Sequence, residues 1–469
     1  MKKNDKIIIL LVIILAFSLL TWIVPTGTYQ EGVFVSNGLN RVGLFDIFLL
    51  IAQTFYVKAT DVLYLFFIGG FYGVASRTKG YRKLVSKTSA LIKGKEHIAM
   101  LVTTLLLGAY TSITNDIYAL LYVTPFIITV FLRRGCDRLT ALSAAFGGFF
   151  IGLIGQTFGT FAFSYLMQIT SVAVTEGIVY KILLFIFAYV LYNAFAISYM
   201  NKHIKNVEYV RFDVFPITKL DETKLSKSLR KKVWPTILLL SLGLIVILLA
   251  FIGWNDSFKV TMFDTALEKI NGYELLGTTL FRNILGNFTA FGQWDVMGVS
   301  FIILITTLIM GLADKLSINN IFAYFGNGMK KMSRVVVIFV LVNSLFLAYY
   351  YFTWPLSFAN AFFGAKSFNL IGSFFGSIVN GFFAVDFEYA SFMLDGLISN
   401  VYIGNFVDAA LTIHFAYSIV ALIAPTSVIL MIGLSYLDIP YTKWLKYIWK
   451  FALCITAIGL VGLFIVTGV

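Results

Sequence analysis

Residues 98–134 read IAMLVTTLLLGAYTSITNDIYALLYVTPFIITVFLRR. Two apolar runs flank a polar break, Thr111-Ser112-Ile113-Thr114-Asn115-Asp116; Pro125 interrupts the second run, and Arg133 and Arg134 end it. Lipid gives backbone N–H and C=O groups no partner, so such a break at membrane depth persists only where protein buries it or a watery cavity wets it. Discontinuous helices of this kind build the substrate and ion sites of secondary transporters. The same residues would also serve as a turn outside the bilayer between two spanning helices. The rest of the chain bears on the choice.

The 469 residues are 59% hydrophobic and 13% charged, with mean hydropathy +0.87. Several apolar runs approach or exceed the roughly 20 residues that cross a hydrocarbon core. The chain therefore reads as an all-α polytopic membrane protein. Its net charge of +13 sits in short loops between apolar runs, where it sets topology and meets anionic headgroups instead of nucleic acid. Cys136 and Cys454 lie far apart, and His97, His203 and His414 are scattered, so no metal site is expected. No phosphate-cradling glycine loop points to an ATP motor.

Lys2, Lys3 and Lys6 precede the run 7–24, which places the N-terminus inside by the positive-inside rule. That run lacks a small-residue cleavage site and reads as a retained helix. Residues 44–61 mix apolar side chains with Asp46, Gln53, Lys58 and Asp61, as an interfacial or bundle-facing helix would. The run 62–76 carries Gly69, Gly70 and Gly73, which allow close helix approach. A basic loop at 77–97 and the linker 201–233, with nine basic and four acidic side chains, are both expected inside.

Glycines break the region 139–175, and Ala424-Pro425-Thr426-Ser427 breaks 406–435. A further polar interruption, with a proline, runs from Thr353 through Ser357 to Asn360. The segment ending Gly73-Val74-Ala75, followed by a loop, a helix and the break near Thr111, is echoed by Gly311-Leu312-Ala313, a loop, a helix and the break near Thr353. That echo suggests two structural repeats, 1–215 with the N-terminal helix and linker and 216–469, containing about 10–12 membrane segments. Loop charge alone would make the repeats parallel.

Ionisable groups within spans are costly and mark functional sites. Asp116 lies in the first break; Asp386, Glu388, Asp395 and Asp408 lie in 368–435, which contains no lysine or arginine. Acids without a basic partner suit a cation, a proton or a cationic solute. Asp386 and Glu388 would equally fit an exposed turn, and Asp408 a helix cap. The candidate solute or ion ligands are Thr111, Ser112, Thr114, Asn115, Asp116, Gln156, Thr157, Thr353, Ser357, Asn360, Asp386, Glu388, Ser418, Thr426 and Ser427. The neutral ones sit beside glycine or proline, where freed backbone groups join them; hydroxyl back-bonding within a helix is the alternative.

LTWIVPTGTYQEG at 20–32, LFDIFLLI at 44–51, LFFIGGFYGV at 65–74 and LIAPTSVILMIGLSYLDIPYTKWLKYIWKF at 422–451 resemble the YfcC-type membrane proteins. These are basic amino-acid antiporters grouped with the anaerobic C4-dicarboxylate carriers. The resemblance implies the ion-transporter fold: two inverted repeats, each with a re-entrant hairpin and a broken helix. It also shows departures. Tyr118 and Ala119 stand where that family has paired glutamates, Tyr417-Ser418-Ile419-Val420-Ala421 replaces its Asp-Gly-x-x-Asn run, and Pro355-Leu356-Ser357-Phe358-Ala359 replaces Pro-Ser-Gly-Ser-Gly. Pro425-Thr426-Ser427 is retained.

The expected function is secondary active transport of a small organic solute across the cytoplasmic membrane, with no enzymatic chemistry. The resemblance favours a basic amino acid, such as arginine against ornithine. A C4-dicarboxylate carrier is the alternative, disfavoured because no in-span lysine or arginine offers a carboxylate clamp. A partner-binding relative that no longer transports is the alternative of another class. No cofactor is expected beyond a coupling Na+ or H+; the expected partners are a solute, the bilayer and, compatibly, a second copy.

Overall fold

The structure, a computed structural model, describes residues 5–204, 213–216, 234–275, 278–286, 288–363, 367–384 and 386–468. Helix α1 (Asp5–Leu20) leads into an antiparallel hairpin, β1 (Thr26–Gln30) and β2 (Val33–Gly38). Helices α2 (Leu44–Val57) and α3 (Ala59–Ala75) meet at Lys58 with a bend of 68°. The segment expected as a basic loop holds α4 (Lys79–Leu91), whose Tyr81, Val85 and Ser89 are buried on one face. Next come α5 (Glu96–Thr114), α6 (Tyr118–Leu121), α7 (Thr124–Arg133), α8 (Arg138–Ile154), α9 (Thr160–Thr170) and α10 (Ile178–His203). Of the 201–233 linker only 201–204 and 213–216 are described.

The second half begins with α11 (Trp234–Phe251). The short pieces α12 (Trp254–Phe258), α13 (Met262–Asn271), β3 (Glu274–Leu275), β4 (Thr278–Thr279) and α14 (Leu280–Leu285) follow. Then come α15 (Val296–Ala313), α16 (Ile318–Tyr351), α17 (Trp354–Phe363), α18 (Leu370–Gly381), α19 (Phe387–Met393), α20 (Asp395–Val401), α21 (Phe406–Ile423), α22 (Val428–Tyr436) and α23 (Tyr441–Thr467). Among the described residues seven helices or helix pairs are long and apolar enough to cross a bilayer, and the bent α2–α3 pair would make eight. The chain is a multi-pass, all-α membrane protein.

Two helices organise the interior. Every residue of α8 from Leu139 to Ile154 is buried, as is every residue of α21 from Ala409 to Leu422. A helix that is apolar all round belongs inside a bundle. Helices α5, α7 and α10 pack on α8; α18, α19 and α23 pack on α21; and α8 and α21 touch each other. Glycine sets the closest contacts. A Cβ at Gly152 would lie 2.6 Å from the Gly108 carbonyl, and one at Gly328 of α16 would lie 2.1 Å from the Gly69 carbonyl of α3. Gly69 and Gly73 thus act as close-packing residues, as their spacing predicts.

The packing of α5 on α8 recurs in that of α18 on α21, so the break after α5 has a counterpart in placement after α18. Chain 354–363 is helical, and only Phe352 and Thr353 interrupt it.

Between α22 and α23 the turn 437–440 is held from three sides. Lys6 of α1 donates to the Ile439 carbonyl at 3.0 Å. Arg138 of α8 donates to the carbonyls of Leu437 and Asp438 at 3.2 and 2.7 Å. Arg334 of α16 pairs with the Asp438 carboxylate at 2.6 Å.

Candidate functional site

Each break is made by its own local chemistry. Helix α5 ends at Asn115, which adopts the left-handed conformation (φ 58°) and returns its N–H to the Thr111 carbonyl at 2.7 Å. Asn tolerates that conformation better than most residues. The Asp116 carboxylate then accepts the N–H groups of Tyr118 and Ala119, both at 2.9 Å, and starts α6. After α18 the pattern returns: the Asp386 carboxylate accepts the Tyr389 N–H at 2.9 Å and caps α19. Asp116-Ile117-Tyr118-Ala119 and Asp386-Phe387-Glu388-Tyr389-Ala390 share an Asp followed closely by Tyr-Ala.

The two internal breaks of α8–α9 and α21–α22 are satisfied differently. The Ser112 carbonyl accepts Thr157 N–H at 2.8 Å, and the Ser112 hydroxyl donates to Gly155 O at 2.6 Å, so the first break is stitched to the end of α5. At the second, Pro425 has no N–H to give. The Trp444 indole N–H donates to Leu422 O at 3.0 Å, and the Tyr441 hydroxyl donates to Ile423 O at 2.6 Å. The Ser427 hydroxyl accepts Leu430 N–H at 3.4 Å and caps α22.

These breaks enclose a cavity of about 470 Å³. Asp116, Asp386 and Glu388 line it together with Lys58, the residue at the α2–α3 bend. Lys58 Nζ lies 3.8 Å from the Asp61 carboxylate and 5.7 Å from the centre of the Tyr389 ring. Thr114, Asn115, Tyr118, Asn343, Tyr417 and Ser427 supply further polar lining. The Asn115 side-chain carbonyl is buried with no hydrogen-bond partner among the described residues. With Asp295 the lining holds four carboxylates and one ammonium, a site able to bind an amine and, at its Lys58 corner, a carboxylate.

Of the sequence candidates, Thr114, Asn115, Asp116, Asp386, Glu388 and Ser427 line this cavity. The others stand back from it. Ser112 and Thr157 are engaged in the stitch, while the Thr111 hydroxyl, the Gln156 carbonyl and the Thr426 hydroxyl are buried without partners among the described residues. Ser418 back-bonds to Phe415 O at 2.7 Å within α21, the alternative foreseen for hydroxyls in spans. Thr353, Ser357 and Asn360 belong elsewhere: Thr353 donates to Gly27 O at 3.2 Å, and Asn360 accepts the Tyr29 hydroxyl, so this stretch packs against the β1–β2 hairpin. The 353–360 segment therefore does not join the other breaks. Asp386 and Glu388 are also not an exposed turn; both are half-buried, and Asp386 is at once a cap and a cavity group.

Sequence reasoning missed the cavity's lysine. The acids of 368–435 have no basic neighbour in their own segment, but the fold brings Lys58 from 310 residues or more away in sequence to face them. A second in-span lysine, Lys181 of α10, is buried. The statement that no in-span lysine offers a carboxylate clamp is thereby corrected. Asn343, midway along α16, was passed over inside an apolar run; a lone amide there was the available signal. Trp294 and Asp295 come from the mixed stretch 255–293 and its edge, which offered no pattern.

Broken helices around a polar, lysine-bearing cavity in a multi-pass bundle define a membrane transporter. Residues 4–348 match the family DcuC, the C4-dicarboxylate anaerobic carriers. The chain belongs to that family. None of the curated proteins matches it. Two solved structures are similar at full length. One is the YdaH transporter of Alcanivorax borkumensis, 13% identical, covering 99% of each chain at TM-score 0.37. The other is MtrF of Neisseria gonorrhoeae, 11% identical, covering 98% of this chain and 94% of that one at TM-score 0.37. Likeness at that TM-score adds nothing to the family match.

Proposed function

We propose that this transporter carries a basic amino acid, exchanging arginine against ornithine by alternating access across the cytoplasmic membrane, with its N-terminus inside. The observation that carries the reading is the charge of the cavity: Asp116, Asp295, Asp386 and Glu388 against Lys58. A dicarboxylate would meet four like charges and one clamp. An amino acid with a cationic side chain offers two cations to the carboxylates and one carboxylate to Lys58. The family's description favours a second reading, a C4-dicarboxylate as solute, with Lys58 as its anchor.

Uptake and counterflow in proteoliposomes, with arginine, ornithine, lysine, succinate and fumarate, separate the two. Exchange of arginine with ornithine above passive leak supports the first. Exchange confined to the dicarboxylates replaces it with the second. No movement of any solute leaves a relative of the family that serves by binding a partner.

A further inference from the structure

Behind the cavity wall lie two ionisable side chains that the solute site does not use. Lys181 is 2% exposed; its ammonium donates to the Val174 carbonyl at 2.6 Å and lies 4.5 Å from the centre of the Phe163 ring. Among the described residues no carboxylate comes within ion-pair distance of it. His414 of α21 is also 2% exposed. Its ring sits 5.6 Å from the same Phe163 ring and 5.2 Å from that of Phe387, the residue after Asp386.

The two groups face opposite ways. Val174 belongs to the turn 171–177, where Thr175 and Glu176 are exposed, so Lys181 hangs from a segment in contact with water. His414 makes its hydrogen bond to the backbone of Leu153, and Leu153 lines the cavity, as does Tyr417, three residues further along α21. Nε2 of His414 is buried without a partner. With the other ring nitrogen engaged by the carbonyl, Nε2 carries the free lone pair of the neutral imidazole.

From these placements we infer that Lys181 and His414 carry the coupling proton between the 171–177 turn and the cavity. The inference rests on the transport reading and adds to the exchange a net uptake driven by protons. In the transfer, an N–H bond of the Lys181 ammonium breaks and one forms at His414 Nε2. The neutral amine left behind is reprotonated from water at the turn. The imidazolium then releases its proton on the cavity side, which is lined by Asp386, the neighbour of the Phe387 that His414 touches. Both groups lie against Phe163, so that ring must give way for the proton to pass.

The charges acting on the pair are few. Glu176 acts on Lys181 from the turn, Lys181 acts on His414, and Asp386 acts on Tyr417 beside it. Helix α9 carries no charged residue, and neither does α18; α19 carries Glu388, α21 itself carries Asp408 in its first turn, and α5 carries Glu96 at its start. The charges of α8 and α23, Arg138, Lys443, Lys446 and Lys450, lie towards the other ends of those helices: Tyr180, beside Lys181, bonds to Gly459 O. Two cations there without a carboxylate between them would repel, so the pair holds one proton by turns.

The test uses the full chain in proteoliposomes with labelled arginine and succinate. In His414→Gln and Lys181→Met, accumulation driven by an imposed pH gradient should fall to the level of empty vesicles. Counterflow of the same solute, which needs no net proton, should keep its rate. Gradient-driven accumulation that persists in both variants overturns the route. A second readout does not depend on transport or on the solute. In His97→Gln/His203→Gln protein the ring ¹⁵N signal comes from His414 alone. It should change as the pH is lowered, and the pH at which it does so should move when Lys181→Met is added. An unmoved titration overturns the coupling. If unaltered protein moves neither solute, the transport reading fails while this titration still decides on the pair.

Discussion

Asp386 has two separable duties, and replacing it by Asn separates them. As the cap of α19 it accepts the Tyr389 N–H at 2.9 Å from extended backbone (φ −148°, ψ 178°). Asn caps about as well as Asp, whereas Ala gives up about 1 kcal/mol. Thermal unfolding in detergent should therefore leave Asp386→Asn near the unaltered protein and lower the midpoint of Asp386→Ala. As a cavity group Asp386 supplies one of four carboxylates facing a cationic solute. A hydrogen bond to a charged partner contributes about 1.5–3 kcal/mol. At about 1.4 kcal/mol per tenfold, the half-saturation for arginine counterflow should rise about 10- to 150-fold in both variants. Adding Glu388→Gln to Asp386→Asn should abolish exchange while membrane insertion stays intact. Arginine affinity unchanged in the double variant would refute the acidic-cavity argument. Equal destabilisation by Asn and Ala would refute the capping argument.

Gly328→Ala puts a methyl 2.1 Å from the Gly69 carbonyl, so overpacking of about 1–3 kcal/mol should lower the unfolding midpoint. Tyr441→Phe and Trp444→Phe each strip a donor from a carbonyl beside the Pro425 break; each should cost about 1–3 kcal/mol, read by thermal unfolding, and slow counterflow. Burial pushes the Asp213 carboxyl, in the linker, up to about 6. A raised acid favours the folded state when protonated, so its stabilisation is complete below about pH 4 and fades as pH rises through about 6. Asp213→Asn should flatten the unfolding midpoint over that window. With Cys454 replaced by Ser, a cysteine at Lys87 of α4 should resist labelling by an impermeant reagent outside intact cells; ready labelling would reverse the topology.

The membrane class and most long helices were legible because apolar runs bounded by lysine, arginine, glycine and proline report them directly. The break expected at 111–116 was legible in kind, since polar residues interrupt a span, but Thr111 to Thr114 stay in α5 and only Asn115 and Asp116 leave the helix. The second break was misplaced. Tyr349 to Asn360 looks polar and carries Pro355, but proline sits comfortably at the start of α17, while Ala384 to Asp386 looks merely apolar before a cap. Lys58 reads from sequence only as part of an interfacial or bundle-facing helix, because its role follows from a helix bend that aims it at acids from a distant segment. No local pattern encodes that meeting. His414 and Lys181 likewise gain their meaning only from the Phe163 ring between helices distant in sequence.

The grip on the turn 437–440 fixes where motion in this part of the molecule can be taken up. Cations from α1, α8 and α16 hold the far end of α22, so that end behaves as a hinge pin instead of a sliding foot. Helix α22 has 9 residues, a lever of about 13 Å at 1.5 Å per residue. A tilt of about 10° about the pin sweeps Ser427, at the cavity, through about 2 Å, a distance comparable to a hydrogen bond's whole reach. The carbonyls of Leu422 and Ile423, at the end of α21 across the Pro425 break, are tied to α23, so the swing is taken up between Ala424 and Ser427. Small rocking at one rim of the protein is thereby geared into opening or closing contacts at its centre.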